Sequence, residues 1–316
     1  MPEITIQSVK TYIESLYGGP VRILSMTEEG RQETGEDLKA FGYGSPLFIE
    51  FEVEGERKKV VLETMAPSTF GHDHFSDRAQ SILWEHSAFN NLPRHVRSLD
   101  SGAFLETGGI ISTGKTREFF LLTEFVTGHG YFKDLDRIRT TGAATDEDFN
   151  RARALSDYLV EIHARKLDSP ELYVRRVRDL LGHGECIMGL IDNYPPSYEF
   201  IDAPLLKKIE QACVEWRWRI KGRTHRLCQV HGDFHPWNIL FREGTNFTLL
   251  DRSRGEWGDP ADDTTWLSTN YLFSSLIRSG KLEGPFESLL PMIWDNNLQK
   301  TNDREMLEVV APFFAW

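Results

Sequence analysis

Residues 229–251 carry the tightest constraint on how this chain can fold. Gln229–Phe241 reads QVHGDFHPWNILF, placing His231, Asp233, His235 and Asn238 within eight residues, directly before Ile239-Leu240-Phe241. Arg242-Glu243-Gly244-Thr245-Asn246 follows, then Phe247-Thr248-Leu249-Leu250-Asp251. Two short apolar runs around a polar glycine-containing segment predict strand, turn, strand. A two-residue turn at Gly244-Thr245 has glycine at its first central position, as a type II′ hairpin wants. That register sets Glu243 against Asn246, Ile239 against Leu250 and Asn238 against Asp251. Facing Cβ atoms lie about 4.5–5.5 Å apart, close enough for two oxygen ligands to share one Mg²⁺.

Three readings compete for this stretch. Asp, Asn, Gly and Pro are ordinary turn formers, so a plain polar loop ending in a surface hairpin is one. His231, Asp233 and His235 at alternate positions offer three transition-metal ligands, the pattern of a metal-dependent hydrolase. The third is a phosphoryl-transfer loop, with Asp233 handling a substrate proton and Asn238 holding a metal. The Asn238–Asp251 pairing favours the third, because both are hard oxygen ligands and zinc draws nitrogen or sulfur. Asp233, five residues before Asn238, is left to act as a general base for a hydroxyl.

Charge narrows the partners. The net charge of −12 argues against a nucleic-acid surface, which needs a basic stripe. An acidic protein still binds phosphates where metal ions and backbone N–H groups supply the positive potential. Net charge also leans toward a cationic second substrate, with Asp262, Asp263, Trp257 and Trp266 as candidate hosts. No apolar run approaches a membrane span, and MPEITIQSVK has no apolar signal-peptide core. Cys186, Cys213 and Cys228 are odd in number and far apart, matching neither a disulfide framework nor a zinc pattern. A cytoplasmic protein without nucleic-acid or membrane partners is expected.

The chain divides by character. Val21–Ser25, Leu47–Val53, Lys59–Met65 and Glu118–Phe125 read as strands, with helices over Ile4–Tyr17 and Ser76–Asn91. GKT at Gly114–Thr116 reads as a hairpin turn between Gly109–Ser112 and Glu118–Leu122. Beyond Gly128, Phe149, Ala152, Leu155, Leu159 and Ile162 form one helical stripe, and Leu205, Ile209, Ala212, Cys213, Trp216 and Ile220 another. Thr145 and Asp148 form a capping box ahead of the first. The end of the chain, from Thr264, also reads as helical. The expected class is α+β, with a small strand-rich lobe over residues 1–126 and a larger helical lobe over 127–316.

His231-Gly-Asp233-Phe-His235-Pro-Trp-Asn238, then Leu249-Leu250-Asp251, then Gly258-Asp259-Pro260-Ala-Asp262, resembles the aminoglycoside phosphotransferase and choline-kinase-like family. Three motif pieces in order over about thirty residues make the match specific. The resemblance implies a bilobal protein-kinase-like fold and an ATP- or GTP-dependent kinase acting on a small-molecule hydroxyl acceptor. It implies Asp233 as base, Asn238 and Asp251 as Mg²⁺ ligands, His231 as a loop-shaping residue and Asp259 as an anchor. Gly42, Gly44 and Ser45 fall where the family has its nucleotide lid, and Glu124 and Val126 where the hinge pairs with an adenine edge. Leu159-Val-Glu-Ile162-His163 resembles the family's long helix, whose histidine is structural. One departure stands out: the third strand ends Leu62-Glu63-Thr64-Met65, without the usual phosphate-binding Lys or Arg. Glu63 and the helix residue Glu85 would then repel, and Arg78, His72 and His74 are the nearby substitutes, with GHDHFSD read as a loop. Arg254 is placed to reach a transferred phosphate or to pair with Asp259 or Asp262. The lost lysine keeps a nucleotide-binding pseudo-enzyme as an alternative.

Overall fold

The computed structural model describes residues 4–28, 46–195 and 198–316. Packing divides the chain into two units, between Thr123 and Glu124. The predicted lid residues Gly42, Gly44 and Ser45 lie outside the described residues.

The first unit contains helices α1 (Ile6–Tyr17) and α2 (Phe75–Asn90) and strands β1 (Val21–Thr27), β2 (Leu47–Val53), β3 (Glu56–Leu62), β4 (Gly102–Phe104) and β5 (Ile110–Ser112). Thr5 caps α1 in a reciprocal box with Ser8. Period-2 alternation along β2 sends Leu47, Ile49, Phe51 and Val53 into a core shared with Val9 and Ile13 of α1. β1, β2 and β3 form an antiparallel meander. Glu54 and Gly55 both have positive φ (51° and 83°) and join β2 to β3 as a two-residue loop. That turn starts β3 at Glu56, three residues before the predicted Lys59–Met65.

The predicted strand over Glu118–Phe125 does not form: this run has no ladder, and Phe120, Leu121, Leu122 and Phe125 are exposed. Asp100 Oδ1 accepts from Gly114 N–H (3.1 Å) and Ser101 O from Thr113 N–H (2.7 Å), turning the chain off the sheet where a hairpin was predicted. β5 pairs with β4 instead.

The second unit is helical around small sheets. It holds β6 (His129–Gly130), β7 (Cys228–Gln229), β8 (Ile239–Phe241), β9 (Phe247–Leu249) and β10 (Trp257–Gly258). Its helices are α3 (Tyr131–Thr141), α4 (Asp146–His163), α5 (Pro170–Gly182), α6 (Ile187–Asp192), α7 (Ala203–Ile220), α8 (Pro260–Ser279), α9 (Pro285–Thr301) and α10 (Met306–Val309). Thr145 caps α4 with the predicted box: its N–H donates to Asp148 Oδ2 (2.7 Å), and its hydroxyl accepts from Asp148 N–H. The α4 stripe Ala152, Leu155, Leu159 and Ile162 is buried against Leu267 and Tyr271 of α8 and Leu289 and Ile293 of α9. The α7 stripe is half realised. Cys213 and Ile220 are buried, while Leu205 is exposed. No helix among the described residues is long and apolar enough to cross a membrane. The class is α+β, strand-rich first and helix-rich second.

Candidate active site

Two ladder pairs position the polar loop. β7 pairs with β10, Trp257 against Gln229 and Gly258 against Cys228, so the start of α8 lies beside the loop's entry. β8, at its exit, is the central strand between β6 and β9. Asp263, in the first turn of α8, is fully buried; its Oδ2 accepts from His231 N–H and its Oδ1 from Gly232 N–H, both at 2.8 Å. His163, the last residue of α4, contacts the same carboxylate through Nε2 at 3.1 Å. Three hydrogen bonds on one buried carboxylate fix the loop backbone. Gly232 has φ +83°, and a Cβ there would meet Gly255 O at 3.3 Å and Arg254 Cβ at 3.4 Å.

Asp233 and Asn238 are brought together. Asn238 Nδ2 donates to the Asp233 carbonyl and to its Oδ2, both at 3.1 Å. His235 Nε2 lies 3.3 Å from Asp233 Oδ2, and Arg254 Nη2 lies 3.8 Å from Oδ1. Burial pushes the Asp233 carboxyl upward, but His235, Arg254 and Asn238 together outweigh it and hold it below the usual carboxylate range. The result is a carboxylate, largely buried yet ionised at neutral pH.

The hairpin register differs by one residue from prediction. Ile239 pairs with Leu249 and Phe241 with Phe247, so the loop is Glu243-Gly244-Thr245, closed by Arg242 N–H to Asn246 O (2.7 Å). Gly244 takes φ +60° within a three-residue turn. Leu250 N–H therefore donates to Asn238 O (2.8 Å), and Asp251 falls one position beyond the residue across from Asn238. Asp251 is exposed, with φ 52°, a conformation Asp tolerates better than most residues, and its Oδ1 accepts from Ser253 N–H (3.0 Å). Both residues keep an oxygen suited to a hard cation. Asn238 directs its N–H₂ to Asp233, and neither its Oδ1 nor Asp251 Oδ2 has a hydrogen-bond partner among the described residues. An amide and a carboxylate oxygen suit Mg²⁺.

His231 is no metal ligand here. Its Nδ1 accepts from Asp233 N–H (3.3 Å), so Nε2 carries the proton and donates to Leu250 O (3.1 Å). Burial, the largest influence, lowers its pKa, in keeping with a neutral ring. Both nitrogens serve the backbone, and no group of three or more His, Cys, Asp or Glu among the described residues is arranged to hold a metal. This geometry gives the hydrolase reading no ligand set.

Other expectations change. Glu124 is exposed and Val126 half-buried, in a segment without strand pairing. Glu63 and Glu85 are both exposed. Arg78 Nη1 donates to His72 O (2.8 Å) and Asp73 O (3.0 Å), stapling the loop before α2. Asp259, the predicted anchor, takes both Arg226 Nε (2.8 Å) and Nη2 (3.0 Å), plus the Tyr173 hydroxyl (2.8 Å), and caps α8 through Ala261 N–H. Arg254 is therefore not its partner. Sequence reasoning missed Arg226 and Asp263. A buried arginine carries no local signal, and the sequence alone does not separate Asp263 from its neighbour Asp262 as a possible cation host. Two hollows of about 420 and 470 Å³ flank α2 in the first unit, and neither contains Asp233, Asn238 or Asp251.

A family model described as phosphotransferase enzyme family matches residues 51–284, about three quarters of the chain. No curated protein matches. Among solved structures, a glucosamine kinase is 15% identical with TM-score 0.41, the match covering 58% of this chain and 52% of that one; this chain thus spans about half its length. Plasmodium vivax ethanolamine kinase is 15% identical with TM-score 0.40, covering 85% and 70%. An aminoglycoside-3′-phosphotransferase of type VIII is 16% identical with TM-score 0.38, covering 96% and 98%. The family assignment rests on the family model, which spans the candidate base, the amide beside it and the helix that clamps their loop. The chain belongs to the phosphotransferase enzyme family.

Proposed function

We propose that this protein transfers the terminal phosphoryl group of ATP or GTP to a hydroxyl of a small molecule, with Mg²⁺. The observation that carries the reading is the Asp233–Asn238 pair: an ionised carboxylate hydrogen-bonded to a metal-type amide, on a loop clamped by a buried aspartate. Asp233 accepts the proton of the attacking hydroxyl and orients its lone pair. Asn238 Oδ1 and the Asp251 carboxylate would hold the magnesium. The ion, when bound, neutralises charge on the donor phosphates. His231, neutral and fixed at both nitrogens, keeps the loop backbone in place. Glu124 and Val126 serve as the adenine-facing hinge, and Gly42, Gly44 and Ser45 as the phosphate lid, on the strength of the family resemblance. Three buried free thiols are in keeping with a cytoplasmic protein. The partner is a small-molecule acceptor rather than nucleic acid or membrane.

The test is ADP release by the purified chain with Mg²⁺-ATP over a metabolite panel, beside Asp233→Asn. A kcat at least ~10³-fold lower in the variant, with an unchanged thermal midpoint, supports the assignment. Nucleotide binding without turnover on any acceptor would instead leave a non-catalytic binding protein.

A further inference from the structure

The charges around Asp233 bear on what the acceptor is. Asp263 faces two backbone amides and His163. Asp259 is saturated by Arg226, Tyr173 and Ala261 N–H. Asp262 is buried, and no side-chain hydrogen bond joins it to another group among the described residues. The carboxylates the sequence offers a cationic acceptor are thus turned inward.

What faces Asp233 is positive. The Arg254 guanidinium lies 5.2 Å from the Trp266 ring centre and 3.8 Å from Asp233 Oδ1. Arg176 of α5 donates to the Arg254 carbonyl, and a Cβ on Gly255 would lie 3.6 Å from its Nη1. Arg176 thus fixes the backbone that presents Arg254. Next to the loop, Trp237 is more than half exposed and stacked on Phe132, with centroids 5.6 Å apart and planes within 6°. Trp266 supports one face of the guanidinium, and only about a fifth of the Arg254 side chain is exposed. A planar fork so supported suits a bidentate oxyanion. An ammonium group would meet Arg254 as a like charge.

We propose that the acceptor is a hydroxyl compound carrying an oxyanion group, a carboxylate or phosphate, which Arg254 grips while Asp233 takes the hydroxyl proton and Arg176 positions Arg254. This rests on the phosphotransfer reading and narrows it. The overall charge of −12 does not oppose it, because Asp259, Asp262 and Asp263 are buried or internally paired, while Arg254 meets Asp233 at 3.8 Å, beyond hydrogen-bond length, and keeps about a fifth of its side chain exposed.

Two measurements test it. ADP release with Mg²⁺-ATP is compared over size-matched hydroxy acids, sugar phosphates and amino alcohols. At least tenfold higher kcat/KM for either anionic set is expected, and the two sets separate carboxylate from phosphate. Arg254→Gln should raise KM for the anionic acceptor at least tenfold, and Arg176→Leu should raise it less. Turnover confined to amino alcohols overturns the acceptor assignment and leaves the kinase standing. The second measurement is calorimetric titration of malonate and inorganic phosphate into full-length Asp233→Asn without nucleotide. Binding should be tighter than to wild type, because the competing carboxylate is gone, and should weaken at least tenfold when Arg254→Gln is added. Absence of binding, or binding indifferent to Arg254→Gln, overturns the proposal. Turnover on no acceptor at all overturns the phosphotransfer reading, and the acceptor assignment with it.

Discussion

Asp262→Asn is the substitution whose effect can be worked furthest from the structure. Asp262 is 4% exposed, and burial, reinforced by Asp263, pushes its carboxyl up to about 8 despite Arg176 and Arg254. Its ordinary value is 3.8. The folded protein therefore holds a proton that the unfolded chain has released from about pH 4 upward. Where the folded state binds more protons, stability falls as pH rises. The penalty is absent below about pH 4, grows to about pH 8 and is constant above. At about 1.4 kcal/mol per pH unit, it reaches roughly 4 kcal/mol at pH 7. An amide of the same shape does not ionise. Asp262→Asn should thus be more stable than wild type by roughly 4 kcal/mol at pH 7, and by roughly a third to a half of that at pH 5. Urea unfolding at pH 5, 6, 7 and 8 measures the gap. Tryptophan fluorescence suits it, because only Trp84 lies in the first unit. A gap that stays flat across this range, or a variant that becomes progressively less stable than wild type as pH rises, refutes the reasoning. The second outcome would mean that Asp262 is ionised against Arg176 and Arg254, and it would count against an anionic acceptor too.

Three further substitutions probe the scaffold. Arg226→Met leaves Asp259 buried and unpaired, so a loss of about 3–5 kcal/mol in urea unfolding is expected, and a loss under about 1 kcal/mol would contradict the buried pair. Asp263→Asn turns an amide N–H₂ toward backbone donors, so the amides of His231 and Gly232 should exchange with deuterium at least tenfold faster; unchanged protection there would show that another group holds the loop. Thr145→Ala should remove about 1 kcal/mol by thermal denaturation through loss of the α4 cap, and an unchanged midpoint would argue against the box.

These features differ in how far they could be read from the sequence, and the difference follows the range of the interactions. Thr145 and Asp148 are three residues apart, as the geometry of a capping box requires, and the α4 stripe follows from helical period alone. Asp233 and Asn238 also meet within one loop. The hairpin register was wrong by one residue because the turn length depends on Arg242 closing on Asn246, through its N–H and through Nη2 to Asn246 Oδ1 (2.9 Å). Glycine at position 244 permits both turns. The run 118–125 has a strand's composition, but β4 takes β5 as its partner, and β propensity does not decide pairing. Asp263 was hidden for a different reason. Its role exists only once residues 163, 231 and 263 converge, and helix phase decides which of two adjacent carboxylates faces the loop.

The buried charges of the second unit are better understood as positioning than as stabilisation. A buried ion pair such as Arg226–Asp259 gains little over a well-packed apolar pair, because desolvation offsets the attraction, yet breaking one side is expensive. That asymmetry penalises any displacement that separates the partners. Asp259 caps α8, and Asp263, four residues on, holds the loop amides, so the α8 start is locked at both carboxylates. The same lock sets the spacing between Asp233 and Asn238, because Asp263 grips the residues immediately before Asp233, while the Leu250 N–H to Asn238 O bond ties down the loop's exit. A general base placed loosely by even an ångström loses much of its effect. The acidic excess read from the composition is therefore a poor guide to what binds here. Asp259 and Asp263 are spent on the scaffold, and the cation beside Asp233 is Arg254.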